Sequence, residues 1–107
     1  MAQVTDINDD NFYEVVGKGV TIVDFWAPWC YPCRMQGPIL DKVAGKIGDK
    51  AKICKLNVDE NREIPQKFGI TGIPTMIIFK NGELAEQFVG VQSENTLVDT
   101  VESLAAA

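Results

Sequence analysis

The sequence predicts an α/β fold: a central mixed sheet of about five strands flanked by about four helices. Three observations predict it. Helical and strand patterns alternate through most of the 107 residues, which implies right-handed parallel crossovers. The run Val20-Thr21-Ile22-Val23-Asp24-Phe25-Trp26-Ala27 is apolar on both faces, as expected of a central strand covered on both sides. Asn81-Gly82, set between two apolar runs, is a type I′ hairpin signal, so the parallel part is followed by a C-terminal antiparallel hairpin.

The elements follow in order. A short strand near Val4 opens the chain. Asn8-Asp9-Asp10 can cap a first helix with Phe12, Val15 and Val16 at helical spacing, closed by Gly17 and Gly19. The central strand comes next and ends at Pro28. Met35, Ile39, Leu40, Val43, Ala44 and Ile47 then recur at helical spacing as far as Gly48. Pro38 falls inside this pattern, where a proline removes a hydrogen bond and should kink the helix after its first turn. Ile53–Val58 reads as a strand that carries Lys55, and a short helix around Ile64–Phe68 stops at Gly69. After Gly72-Ile73-Pro74, Thr75–Phe79 is a strand and Leu84–Val89 its antiparallel partner. Ser93 caps a last helix with Leu97, Val98, Val101, Leu104 and Ala105 on its buried face. No linker, repeat or low-complexity stretch interrupts residues 1–107, and one domain is expected.

Composition narrows the classes of function. The 46% hydrophobic and 23% charged residues are those of an ordinary globular protein. No apolar run approaches the roughly 20 residues that span a bilayer. The start, Met1-Ala2-Gln3-Val4-Thr5-Asp6, lacks the basic and then apolar regions of a secretory leader, so a cytoplasmic location is expected. A net charge of −5 argues against nucleic acid as a partner. Between Tyr31 and Lys55, however, six basic residues stand against two acidic ones. A solvated helix face accounts for them, with steering of a partner as the second reading.

Trp29-Cys30-Tyr31-Pro32-Cys33-Arg34 carries the chemistry. Cys-x-x-Cys at a strand–helix junction reads as a dithiol redox motif. Residues at i and i+3 share a helix face with Cβ atoms roughly 5–6 Å apart. A disulfide needs about 3.5–4.5 Å, so modest tightening of the first turn closes the bridge. The same spacing also serves as half of a zinc site. Cys54 is the third and last cysteine, and there is no histidine, which removes Cys–His catalysis and every His-containing zinc set. Cys54 reads as an inert buried thiol. Free N–H groups and the positive end of the helix dipole would favour a thiolate at Cys30, with Cys33, one turn in, the more enclosed resolving thiol. Pro32 suits the first helical position.

Asp24 interrupts an otherwise apolar strand. A buried carboxyl there is raised in pKa and can serve as proton acceptor for the resolving thiol, or it can be a hydrogen-bonded structural residue. Lys55, in the neighbouring strand, could pair with it and hold that pKa down. Trp29 reads as a partly exposed aromatic and Trp26 as core. Pro74 reads as the first residue of a strand after a turn.

These stretches together resemble the thioredoxin family over almost the whole length. The resemblance is carried by Val23-Asp24-Phe25-Trp26-Ala27-Pro28-Trp29-Cys30, Pro32-Cys33-Arg34, Lys55-Leu56-Asn57-Val58-Asp59, Gly72-Ile73-Pro74-Thr75, Phe79-Lys80-Asn81-Gly82 and Gly90, in that order. It implies the thioredoxin fold, Cys30 as nucleophile and Cys33 as resolving thiol. It also implies Asp24 as the buried acid assisting Cys33, Lys55 close to Asp24, and Pro74 as a cis-proline against the disulfide. Trp29, Tyr31, Pro32, Ile73, Pro74 and Gly90 would then form the surface that docks the substrate. Pro38 matches the family's helix kink. Tyr31 departs from the family, which usually has glycine there. Residues between the cysteines influence both thiols and hence the balance of dithiol against disulfide.

The function expected from the resemblance is general reduction of protein disulfides by a monomer. No cofactor or metal is expected to be bound. A separate flavoprotein, thioredoxin reductase, would recycle the dithiol at the expense of NADPH, and this chain has no Gly-rich dinucleotide fingerprint of its own. Two other readings stand beside it. One is a dithiol oxidase or isomerase tuned by Tyr31. The other is a non-catalytic binding module that uses the apolar surface around the motif.

Overall fold

Val20, Ile22, Val23 and Phe25 are all buried because the strand that carries them is covered on both faces. The computed structural model describes residues 3–107; the first two positions lie outside the described residues. The elements are β1 (Val4–Ile7), α1 (Phe12–Val16), β2 (Val20–Trp26), α2 (Tyr31–Ile47), a 3-10 turn at Gly48–Lys50 and β3 (Lys52–Asn57). They continue with α3 (Glu63–Lys67), β4 (Thr75–Lys80), β5 (Glu83–Val89) and α4 (Glu94–Ala106). The five strands form one sheet in the order β1-β3-β2-β4-β5. β1, β3 and β2 run parallel, whereas β4 is antiparallel to β2 and to β5. The mixed sheet with a C-terminal hairpin is therefore the fold that the pattern predicts. Asn81 and Gly82, at φ 51 and 86, make the turn.

Each face of the sheet has its own core. On one face Ile22, Ile53, Met76 and Ile78 pack against Leu40, Val43 and Ile47 of α2 and Leu97 and Val101 of α4. On the other, Val23, Phe25, Ile77 and Phe79 pack against Phe12 and Val16 of α1 and Ile64 of α3. Side chains alternate along a strand. Asp24, two residues from Ile22, therefore lies on the face that α2 covers.

Some local expectations are corrected. Met35 is half exposed, and Gln36 takes the buried position instead, because the sheet selects Cys33, Gln36, Leu40, Val43, Ala44 and Ile47 as the inward face of α2. Ala105 is likewise exposed, beyond the last turn that reaches the core. Asn8 and Asn11 bond to each other's backbone, while Asp9 turns away and caps α3. α2 continues through Pro38 as one helix, which the expected kink allows. Ser93 caps α4 as expected, its Oγ accepting from the Thr96 N–H at 3.1 Å.

Candidate active site

β2 delivers the chain to the sheet edge at Trp26, and a turn follows in which the Cys30 N–H donates to the Ala27 carbonyl at 3.2 Å. Cys30 is the N-cap of α2, in extended conformation. Tyr31, not Pro32, is the first helical residue. Pro32 at the second position still lacks only an N–H that no helical carbonyl could accept. Cys30 and Cys33 form a disulfide with Cα atoms 5.2 Å apart. Cys30 Sγ also accepts the Cys33 N–H at 3.3 Å. In the reduced state this amide and the helix dipole favour negative charge on that sulfur. Both cysteines are buried, Cys30 at 5% exposure and Cys33 at 1%, so Cys30 is the more accessible of the two.

The loop before β4 meets the motif. The Ile73 carbonyl oxygen lies 3.8 Å from Cys30 Sγ, and the Ile73–Pro74 peptide bond is cis. Ile73 and Val58 pack on the small cluster of Ala27, Cys30 and Cys33. The Pro74 carbonyl accepts the Gly90 N–H at 2.8 Å, and Gly90 holds φ 91, a conformation that favours glycine. Four segments remote in sequence thus converge on one disulfide.

Two aromatic rings stand at the rim. Trp29 is 68% exposed, with its indole N–H donating to Asp59 Oδ2 at 2.9 Å. Tyr31 is 65% exposed, and the Arg34 guanidinium carbon lies 5.7 Å from its ring centroid, within cation–π range. Tyr31 therefore adds a largely exposed aromatic face to the rim. Trp26 is only half-buried, and its indole nitrogen has no partner among the described residues.

Asp24 is fully buried, and neither carboxyl oxygen has a hydrogen-bond partner. Burial raises its pKa from 3.8 to about 7, against a smaller lowering by the Lys55 charge. Asp24 and Lys55 are register partners on β2 and β3. The Lys55 ammonium nevertheless sits 3.8 Å from the centroid of the Trp26 ring, and the pair makes no contact ion pair among the described residues. The expected pairing is thus a field effect.

Cys54 belongs to the core on the opposite face, beside Val23, Phe25 and Leu56. The Thr5 hydroxyl donates to its sulfur at 3.7 Å, and burial pushes its thiol pKa up. The third thiol that a zinc set would require is thus walled off from the pair. Two residues near the site were not anticipated. Asp59 holds Trp29, and Gln36 bonds to the segment beyond Gly90. A polar residue three positions after Cys33, on the inward helical face, was the available signal for Gln36.

The comparisons agree with this geometry. The family description "Thioredoxin" matches residues 3–103. Thioredoxin of Staphylococcus saprophyticus is 43% identical over 99 residues, covering 92% of this chain and 95% of that one. The chloroplastic M-type thioredoxin of Chlamydomonas reinhardtii is 44% identical over 103 residues, covering 94% and 74% of the two chains. Among solved structures, a thioredoxin from Malassezia sympodialis superposes with a TM-score of 0.88 at 36% identity, covering 98% of this chain and 93% of that one.

Proposed function

The chain belongs to the thioredoxin family and is a thiol–disulfide oxidoreductase that works by dithiol exchange, and on that premise we propose that it is a general reductase of protein disulfides recycled by a separate reductase. The observation that supports this best is the redox pair itself, capping α2 and surrounded by Ile73, Pro74 and Gly90.

In the reduced protein the Cys30 thiolate, favoured by the helix N-terminus, attacks one sulfur of a substrate disulfide. A mixed disulfide forms and the other substrate sulfur leaves as a thiolate. Cys33 then loses its proton with help from Asp24 and attacks Cys30 Sγ. The Cys30–substrate bond breaks, the second substrate thiol is released, and the Cys30–Cys33 disulfide remains. Asp24 fits the part of proton acceptor because a carboxyl with pKa about 7 is partly ionised at neutral pH and can hold a proton there. Lys55 keeps that pKa from rising further. Trp29, Tyr31, Pro32, Ile73, Pro74 and Gly90 form the surface on which the substrate lies.

Returning the pair to the dithiol needs two electrons from outside. A flavoprotein reductase drawing on NADPH is the proposed donor, and no cofactor is assigned to this chain. We place the protein in the cytoplasm as a monomer. No helix among the described residues is long and apolar enough to cross a membrane.

Insulin reduction, followed with NADPH and a thioredoxin-type reductase and separately with dithiothreitol, tests the reading. Cys33→Ser is expected to accumulate a mixed disulfide through Cys30, and Cys30→Ser none. No reduction under either donor would overturn the proposal. A reduction potential for the pair well above the glutathione poise would favour the oxidase reading instead.

A further inference from the structure

We propose that Gln36 is a positioning residue for protein substrates, tying the helix that carries Cys33 to the segment that carries Gly90. The inference rests on the exchange chemistry above and adds to it a residue outside the Cys-x-x-Cys motif.

Gln36 lies three residues after Cys33 on the inward face of α2 and is fully buried. A buried side-chain amide costs stability unless both of its ends are bonded. Both are. Its Nε2 donates to the Gln92 carbonyl at 3.1 Å, and its Oε1 accepts the Gln92 N–H at 2.7 Å. Two bonds to one residue fix orientation as well as distance. Residues 90–93 have no regular secondary structure, so their backbone groups must find partners elsewhere.

The contacts continue from there. Gln92 Nε2 donates to the Val89 carbonyl at 3.4 Å and to the Gly90 carbonyl at 3.2 Å. The Gly90 N–H donates to Pro74 at 2.8 Å, and the neighbouring Ile73 carbonyl lies 3.8 Å from Cys30 Sγ. α2 therefore meets the docking edge twice, at its N-cap through Ile73 and nearly two turns further on through Gln36. With Gln36 gone, the edge would keep only the first of these anchors. A protein substrate that lies along Pro74 and Gly90 would sense the loss. A small disulfide that needs only Cys30 would not.

Gln36→Leu keeps the volume and removes both bonds. With insulin as substrate, kcat/KM is expected to fall roughly tenfold, mainly through KM. With bis(hydroxyethyl) disulfide it should change by less than about twofold. Hydrogen exchange at the Gln92 amide should accelerate while amides of β2 keep their protection. Gln36→Glu supplies the conservative rescue. Its carboxylate cannot donate to the Gln92 carbonyl, but its protonated form can, and burial raises the pKa at which it protonates. Its insulin rate relative to the unaltered protein should therefore climb as pH falls. Equal losses on both substrates, or unchanged insulin kinetics with Gln92 still protected, would overturn the proposal. If the leucine variant does not fold, a flat pH ratio for Gln36→Glu would do so by itself. Inactivity of the unaltered protein toward both disulfides would instead refute the exchange reading on which the proposal rests.

Discussion

Asp24 and Lys55 stand opposite one another on parallel strands, yet the lysine charge rests over the ring of Trp26 rather than on the carboxyl. The arrangement leaves Asp24 desolvated with no hydrogen bond, and the lysine field only partly offsets the cost of charging it. A contact ion pair would have driven the carboxyl toward its ionised form and made it a poor proton store. Held at about 7, it can take a proton and give it back near neutral pH.

That same burial makes Asp24 a liability to the fold. Between 3.8 and about 7 the folded protein holds a proton that the unfolded chain has released, so stability falls as pH rises through this window. Above it the full cost is present, on the order of 4 kcal/mol for a shift of this size. Asp24→Asn is expected to raise the unfolding free energy by a few kcal/mol at about pH 8.5 and by little at about pH 4, measured by urea titration. It should also slow insulin reduction by about 100-fold, because the proton acceptor is gone. A variant both less stable at high pH and fully active would contradict this account.

The Lys55 charge lowers the Asp24 pKa against the larger effect of burial. Lys55→Met keeps an apolar stem against Trp26 and removes the charge. The Asp24 carboxyl, followed by carbon NMR, should then titrate above the value in the unaltered protein. An unmoved midpoint would show that the two strands are electrostatically independent.

Asp9 joins the N-terminal loop to α3. Its Oδ2 accepts the Glu63 N–H at 3.1 Å and its Oδ1 accepts the Ile64 N–H at 3.0 Å. Arg62, at the N-cap itself, offers no side-chain bond. Asp9→Ala should cost about 1 kcal/mol in denaturant unfolding, the usual cost of a lost helix cap. Unchanged stability would mean that solvent satisfies those amides equally well.

Asp9 also marks the boundary of what the sequence revealed. Asn8-Asp9-Asp10 announces a cap, but a local rule assigns it to the nearest helix, and the partner lies 54 residues away. The central strand and the hairpin were legible because β2 is apolar on both faces and Asn81-Gly82 favours one turn geometry. Cys30, Cys33 and Asp24 stood out by spacing and by a charge inside an apolar run. Gln36 did not, since helical periodicity placed Met35 inward and only the sheet decides which face of α2 is buried. The Lys55–Trp26 contact was invisible too, because register brings Lys55 opposite Asp24 while side-chain direction takes its charge elsewhere.

Gly72 and Gly90 look alike in sequence and differ in physical demand. Gly90 has φ 91, and a Cβ added there meets nothing within 4 Å, so any penalty comes from the backbone alone. Gly90→Ala is expected to cost about 1–2 kcal/mol, the strain of an L-residue in that region. Relief by backbone rotation would pull the Gly90 N–H from the Pro74 carbonyl and raise KM for insulin. At Gly72 the φ is ordinary and an added Cβ meets Val89 Cγ1 at 3.6 Å, a normal contact. Gly72→Ala should therefore change stability by less than about 0.5 kcal/mol. Thermal and urea unfolding of the two variants, with insulin kinetics alongside, separates the positions; equal tolerance at both would show that the turn at Gly90 readily accommodates a side chain.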